Sequence, residues 1–371
     1  MSSPKSPKSP KSQNSPKTRS PTGSPQPAEG NEQSLETGGT QIPFNEDGDE
    51  DDDEGVSIGD NETFISSTAS LSESILDYRN IHGRTFQTSK TTEYWGPNDD
   101  KQNEGLDIAH HFVTMLKGDK LLEAPIGANP SKILDVGTGT GIWAIDVADA
   151  YPSAEVIGTD ISPIQPAWVP PNCKFHIDDA QLEWTYAPET FDLVHIRGLY
   201  GSIGDWTELY RQAYRVLLPG GWIEDCEFNI TLYSDIPAVK NDPDHIFKQW
   251  AKVFFEATDR MGKTARIGLE GTMRKHMEEA GFVDIHEKNN QVPIGGWSSD
   301  PKLKQIGLYN LAFLDESLEG FALFMLKEIM GWEYVEIQLF VARMRKAMRN
   351  PKIRPYYIVP NVYARKPDTA S

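Results

Sequence analysis

Residues 133 to 143 read Ile-Leu-Asp-Val-Gly-Thr-Gly-Thr-Gly-Ile-Trp. A short apolar run ends in three alternating glycines and passes straight into a helical stretch, Gly141 to Ala150. Glycines at such a crossing allow positive φ and let a ligand approach the backbone, and the helix start behind them offers free N–H groups. A second apolar run, Val156 to Thr159, ends at Asp160, 23 residues after Gly137. An acid at the tip of a second strand can take both ribose hydroxyls of an adenosine. A third run, Cys173 to Ile177, leads into Asp178-Asp179-Ala180, which could hold an adenine edge. The spacing predicts a nucleoside site along one edge of a sheet.

Nicotinamide enzymes use a similar glycine loop, and two details count against one here. The dinucleotide pattern G-x-G-x-x-G needs its third glycine at position 142, which is Ile142. The fifth apolar run is introduced by Leu217-Leu218-Pro219-Gly220-Gly221-Trp222, a tight turn with no phosphate-binding counterpart. The plainer alternative is that the glycines serve only a tight strand-to-helix turn.

The elements that must carry this site follow from periodicity. Apolar runs at Ile133–Val136, Val156–Thr159, Cys173–Ile177, Phe191–Ile196 and Gly221–Cys226 alternate with helical stretches such as Trp206–Leu217. Continuous apolar strands alternating with helices indicate an α/β fold, a parallel sheet covered on both faces. Leu106, Ala109, Phe112, Val113 and Leu116 describe an amphipathic helix ahead of the first strand. Further helices are expected near 244–259 and 269–280, a strand near Val283–Glu287, and three helical stretches between Leu303 and Met348. A last strand is expected at Tyr356–Ala364.

The chain has 371 residues, 36 Lys+Arg against 55 Asp+Glu, and a net charge of −19. Residues 1–70 read as a disordered tail. Ser-Pro-Lys recurs at Ser3, Ser6, Ser9 and Ser15, eight acids fill nine positions from Glu46 to Glu54, and only Phe44 and Phe64 are aromatic. Such a segment cannot bury enough apolar surface to offset its ordering entropy. Proline-directed phosphorylation, weak DNA contact and a solvated spacer all fit it. Residues 71–105 read as an irregular arm, and residues 106–371 as the folded domain. An acidic body argues against nucleic-acid binding by that domain. Two cysteines, Cys173 and Cys226, exclude a disulfide scaffold, and no apolar run reaches the roughly 20 residues of a membrane helix. The expected setting is soluble and intracellular.

The segment ILDVGTGTGIWAIDVADAYPSAEVIGTDISPIQPAWVPPN closely resembles the S-adenosylmethionine-dependent methyltransferase domain of fungal LaeA-like proteins. The likeness continues through FDLVHIRGLYGSIGDW, LYRQAYRVLLPGGWIE and NVYARKP, across roughly residues 78–367. It implies the Rossmann-like class I methyltransferase fold, a seven-stranded, mostly parallel sheet with an antiparallel last strand and helical insertions. It implies S-adenosyl-L-methionine as cofactor, with Gly137, Gly139 and Gly141 around the methionine moiety and Asp135, Thr138 and Ile161 also binding the cofactor. By the same resemblance Asp160 binds the ribose, Asp179 and Ala180 meet the adenine, and His195 lies near the methyl group. The implied partners are a small-molecule or protein methyl acceptor and a nuclear velvet-type regulatory complex. That complex would favour the nucleus over the cytoplasm, and in it the domain could serve as a binding module.

Methyl transfer needs a base only when the acceptor arrives protonated. His195 and, behind it, Glu227 are the candidates; the alternative for His195 is a packed histidine. No metal-ligand spacing accompanies His110 and His111. Glu224, Asp225 and Glu227 read as acids at a solvated cleft. Tyr94 and Trp95 either close over the cofactor or anchor the arm. Trp250, Phe254, Phe255, Trp297 and Trp332 read as core and acceptor cover.

Overall fold

The computed structural model describes residues 77–368. The chain opens with a small hairpin, β1 (Arg79–Ile81) and β2 (Arg84–Phe86), turned at His82-Gly83, where both residues have positive φ. That turn geometry matches the strand twist. Helix α1 (Asp100–Leu116) is capped by Asp99, which accepts from Gln102 N at 3.0 Å and also pairs with Arg84. The hairpin is thereby tied to the helix start. The helix begins upstream of Leu106, because the Asp99 cap sets its first turn.

Seven strands form the main sheet. In chain order they are β3 (Lys132–Val136), β4 (Glu155–Asp160), β5 (Cys173–Ile177), β6 (Phe191–Arg197), β7 (Leu217–Cys226), β8 (Val283–Pro293) and β9 (Tyr356–Arg365). Their spatial order is β5-β4-β3-β6-β7-β9-β8. All pairs from β5 to β7 are parallel, whereas β9 runs antiparallel to both β7 and β8. The last strand in the chain is the reversed one, as the resemblance implies. Strand β8 runs well past Glu287, through Asn289, Asn290 and Gln291. Its polar run lies at the sheet edge with one face in water, where apolar patterning is not required.

Side chains alternate between the two faces of the sheet. Ile133 and Leu193 pack with Trp143 and Val147 of α2 (Ile142–Ala150). Leu134, Val136, Val194 and Ile196 face the other way, under α3 (Trp206–Val216) and α5 (Thr272–Ala280). A third cluster joins α1 to α4 (Ile246–Arg260), α6 (Pro301–Phe324) and α7 (Tyr334–Met348).

The three helical stretches expected between Leu303 and Met348 are α6, a π-helical turn that continues it (Met325–Ile329) and α7. Helix α6 is continuous because its glycines are contact points and not breaks. A Cβ on Gly307 would lie 2.3 Å from Gly295 O, and one on Gly320 would lie 2.7 Å from Pro97. No helix among the described residues is long and apolar enough to cross a membrane.

Candidate functional site

A cavity opens at the C-terminal ends of β3, β4 and β6, bordered also by α1 and by residues 92–97 ahead of it. This is where ligands bind in open α/β sheets. Asp135, Gly137, Thr138, Gly139, Asp160 and Ile161 line it from the first two strands, and Asp179, Ala180 and His195 from the next two. Of the expected residues only Gly141 does not.

The three glycines all adopt left-handed φ, near +71°, +58° and +80°, but for different reasons. A Cβ on Gly137 would sit 2.4 Å from Leu199, and one on Gly141 would sit 2.3 Å from the Phe175 ring. Those two glycines make room for protein. Gly139 alone faces open space, with only Leu106 Cδ1 at 3.6 Å, and it borders the cavity. Of the three, it is the position where a ligand can approach backbone most closely.

Beneath the loop lies a buried polar network. Asp135 Oδ1 is 2.7 Å from His195 Nδ1, and Asp135 Oδ2 accepts from the Thr138 hydroxyl at 2.6 Å. His195 is fully buried and stacks on Trp143 at 3.5 Å. Burial pushes its pKa down despite Asp135, so the imidazole is neutral, with its proton on Nδ1 where the carboxylate accepts it. His195 Nε2 is a buried acceptor with no partner among the described residues, as is Asp179 Oδ2. Buried acceptors lacking donors fit a ligand that brings amine and hydroxyl donors, as S-adenosylmethionine does.

Asp160 spans the loop. Its Oδ2 accepts from Gly139 N at 2.8 Å and its Oδ1 from Ser162 N at 2.9 Å. Burial raises its pKa to about 6, against the lowering effect of these backbone bonds. Residues that spacing did not single out also line the cavity, Thr92, Arg197 and Lys263 among them. Arg197 contacts His110 Nδ1 at 3.2 Å, and burial followed by that guanidinium pushes the His110 pKa down to about 4. Lys263 donates to Ser202 O at 2.7 Å. A basic residue closing β6 beside a glycine loop is the one local signal that could have marked Arg197. Among the described residues no group of His, Cys, Asp and Glu is arranged for a metal ion.

The acids at the end of β7 and just beyond it do not face a solvated cleft. Glu224, Asp225 and Glu227 are all fully buried. Glu227 accepts from Leu199 N at 2.8 Å and Tyr200 N at 2.9 Å, which leaves it beneath the cavity-lining loop and off the cavity itself. Asp225 accepts from the Tyr210 hydroxyl at 2.6 Å, and burial raises its pKa to about 7. Burial, and then the neighbouring Asp225, push the Glu227 carboxyl well above its ordinary range. A carboxyl whose folded pKa exceeds its unfolded value near 3.9 loses stability as pH rises between the two and stays flat above both. The neutral, buried His110 opposes this trend at acidic pH, so the variant-minus-wild-type difference is the informative quantity. Asp225→Asn should gain roughly 2–4 kcal/mol relative to wild type between pH 4 and 7, read from urea midpoints. A difference that stays constant with pH would contradict the buried-acid account.

The fold and site together define a class I methyltransferase. A methyltransferase-domain family model matches residues 109–287. The methyltransferase pytC of Aspergillus terreus is 37% identical over 287 residues, covering 77% of this chain and 87% of that protein. The secondary metabolism regulator LAE1 of Cochliobolus heterostrophus is 36% identical over 293 residues, covering 77% and 94%. The secondary metabolism regulator laeA of Aspergillus fumigatus is 33% identical over 306 residues, covering 82% and 80%. This chain therefore belongs to the LaeA/pytC group of S-adenosylmethionine-dependent methyltransferases. Among solved structures, a phosphoethanolamine N-methyltransferase of Haemonchus contortus aligns with a TM-score of 0.42 at 19% identity. The alignment covers 72% of this chain, which spans about half (53%) of that one.

Proposed function

We propose that the cavity holds S-adenosylmethionine along the β3–β4–β5 strand ends and that the chain methylates an acceptor in fungal secondary metabolism. The observation that carries this is Asp160, fastened to Gly139 N beside the one loop glycine that borders open space. Bound there, the cofactor would supply an electrophilic methyl group on its sulfonium sulfur, to be taken up by the acceptor's lone pair.

The chain's own residues bind and orient. Asp160 accepts ribose hydroxyls with its remaining lone pairs, Ile161 and Ala180 flank the adenine, and Asp179 Oδ2 accepts its amine. Gly137, Thr138 and Gly139 border the methionine portion, whose carboxylate Arg197 neutralises. His195 is a positioning residue: its bond to Asp135 fixes Thr138 and with it the loop. Gly141 supports the loop from behind, against Phe175.

The names of LAE1 and laeA, secondary metabolism regulators, favour a second reading, a regulatory subunit in which cofactor binding outlasts turnover; a nuclear, velvet-type complex as its setting rests on the family resemblance alone. Calorimetry and radiolabelled methyl transfer separate the two. The full chain should bind S-adenosylhomocysteine, and Gly139→Val should weaken that binding at least tenfold. Unchanged affinity in Gly139→Val would remove the loop assignment. Binding without transfer to any extracted fungal metabolite would favour the regulatory reading.

A further inference from the structure

Behind the cofactor cavity lies a second, apolar one, and the two share five lining residues: Trp95, Tyr200, Phe228, Phe313 and Phe321. These five form a closed ring of aromatic contacts. Successive centroids lie 5.6 Å (Trp95–Tyr200), 5.9 Å (Tyr200–Phe228), 6.3 Å (Phe228–Phe313), 5.9 Å (Phe313–Phe321) and 5.3 Å (Phe321–Trp95) apart. They come from the segment before α1, the loop after β6, the stretch after β7 and two turns of α6. Such a collar is a product of the tertiary fold and of no single motif.

Beyond the collar the wall is made of apolar side chains such as Leu314, Leu318 and Met344, and no charged residue lines it. Its two polar side chains on the far side are already satisfied. Tyr357 donates to Asn310 Oδ1 at 2.6 Å, and Asn229 accepts from Thr231 N and contacts the Tyr233 hydroxyl. Trp95 Nε1, without a partner among the described residues, packs against Gly201, which lines neither cavity, and Tyr200 carries the one hydroxyl of the collar. All the charged groups, Asp160, Asp179, Arg197 and Lys263 among them, line the cofactor side alone.

We infer that this chamber holds the apolar end of the methyl acceptor, and that the acceptor is a neutral aromatic or polyene small molecule. The inference rests on the methyltransferase reading above and narrows its acceptor. A charged lysine or arginine end is disfavoured in the chamber: a buried cation without a facing carboxylate is costly, no acid lines the wall, and Glu227, just beyond β7, spends both oxygens on backbone N–H groups. Aromatic walls reward a flat apolar guest through offset and edge contacts. The free space, about 50 Å³, suits the end of such a molecule and not a large polycycle.

The test uses the full chain with and without S-adenosylhomocysteine, p-cresol as the neutral probe and n-butylammonium as the lysine mimic, followed by ligand-observed NMR. p-Cresol should bind and n-butylammonium should bind at least tenfold more weakly. Leu314→Trp, which fills the chamber from a wall the cofactor cavity does not share, should weaken p-cresol at least tenfold while S-adenosylhomocysteine affinity stays within twofold. Leu314→Ala, which needs no new volume, should improve the binding of the larger 2-naphthol. No p-cresol binding, equal binding in wild type and both variants, or a preference for n-butylammonium overturns the inference. Failure of S-adenosylhomocysteine itself to bind wild type marks the fault in the underlying reading instead, and this inference falls with it.

Discussion

Lys117→Met should be among the most damaging single substitutions in the domain, at a cost of about 3–5 kcal/mol. Lys117 follows the last turn of α1, and its Nζ lies 2.7 Å from Glu224 Oε1 near the C-terminal end of β7. Both side chains are buried, at 3% and 0% exposure. The other oxygen, Glu224 Oε2, accepts from Glu123 N and Ala124 N, each at 2.7 Å. One carboxylate thus secures the end of α1 and the segment leading to β3 against the sheet. Burial alone would raise the Glu224 pKa, yet Lys117 outweighs it and the net shift is downward, so the carboxylate is charged in the fold. Removing the ammonium strands that charge in an apolar setting. Urea unfolding at pH 7 should show the loss, and Lys117→Met with Glu224→Gln should recover part of it, because no uncompensated charge remains. If the double variant is as unstable as the sum of the singles, the pair is not coupled and this account is wrong.

The ion pair also shows where sequence reading reaches its limit. The glycine loop and Asp160 were legible because each depends on local geometry: a strand end, a turn, a helix start. The apolar runs of β3 to β7 were legible because strands buried on both faces need no polar alternation. Glu224 looked like a cleft acid because its partner lies 107 positions away, and nothing near it in the chain announces a cation. The polar end of β8 was missed for the converse reason, since an edge strand carries less of the apolar pattern. Gly137, Gly139 and Gly141 read as equivalent, and only the positions of Leu199 and Phe175 reveal that two of them face protein. The aromatic collar was invisible: Trp95 read equally well as anchor or cover, and its four neighbours come from distant segments.

Asp160→Ala should weaken S-adenosylhomocysteine binding by roughly one to two powers of ten, since charge-assisted hydrogen bonds contribute about 1.5–3 kcal/mol and each 1.4 kcal/mol is tenfold. The structure gives this substitution a second consequence. Asp160 already holds Gly139 N and Ser162 N, so its removal also loosens the loop and costs stability in the ligand-free protein. Affinity loss could then arise from a displaced loop without any ribose contact. Three observations separate the causes. A 2′,3′-dideoxyribose analogue lacks the hydroxyls, so it should be nearly indifferent to the substitution if the ribose contact dominates, and should lose as much as the parent if only the loop moves. Asp160→Asn keeps an acceptor for one backbone N–H, so it should recover stability more fully than affinity. With a pKa raised to about 6, Asp160 in the wild type gains a proton as pH falls through that value and gives up its charge-assisted bonds. Wild-type affinity should therefore fall from pH 7 to pH 5 while that of Asp160→Ala stays level. A dideoxy analogue that weakens in step with the parent, or an Asp160→Ala variant that keeps the wild-type pH profile, assigns Asp160 to the turn and leaves the ribose to other groups.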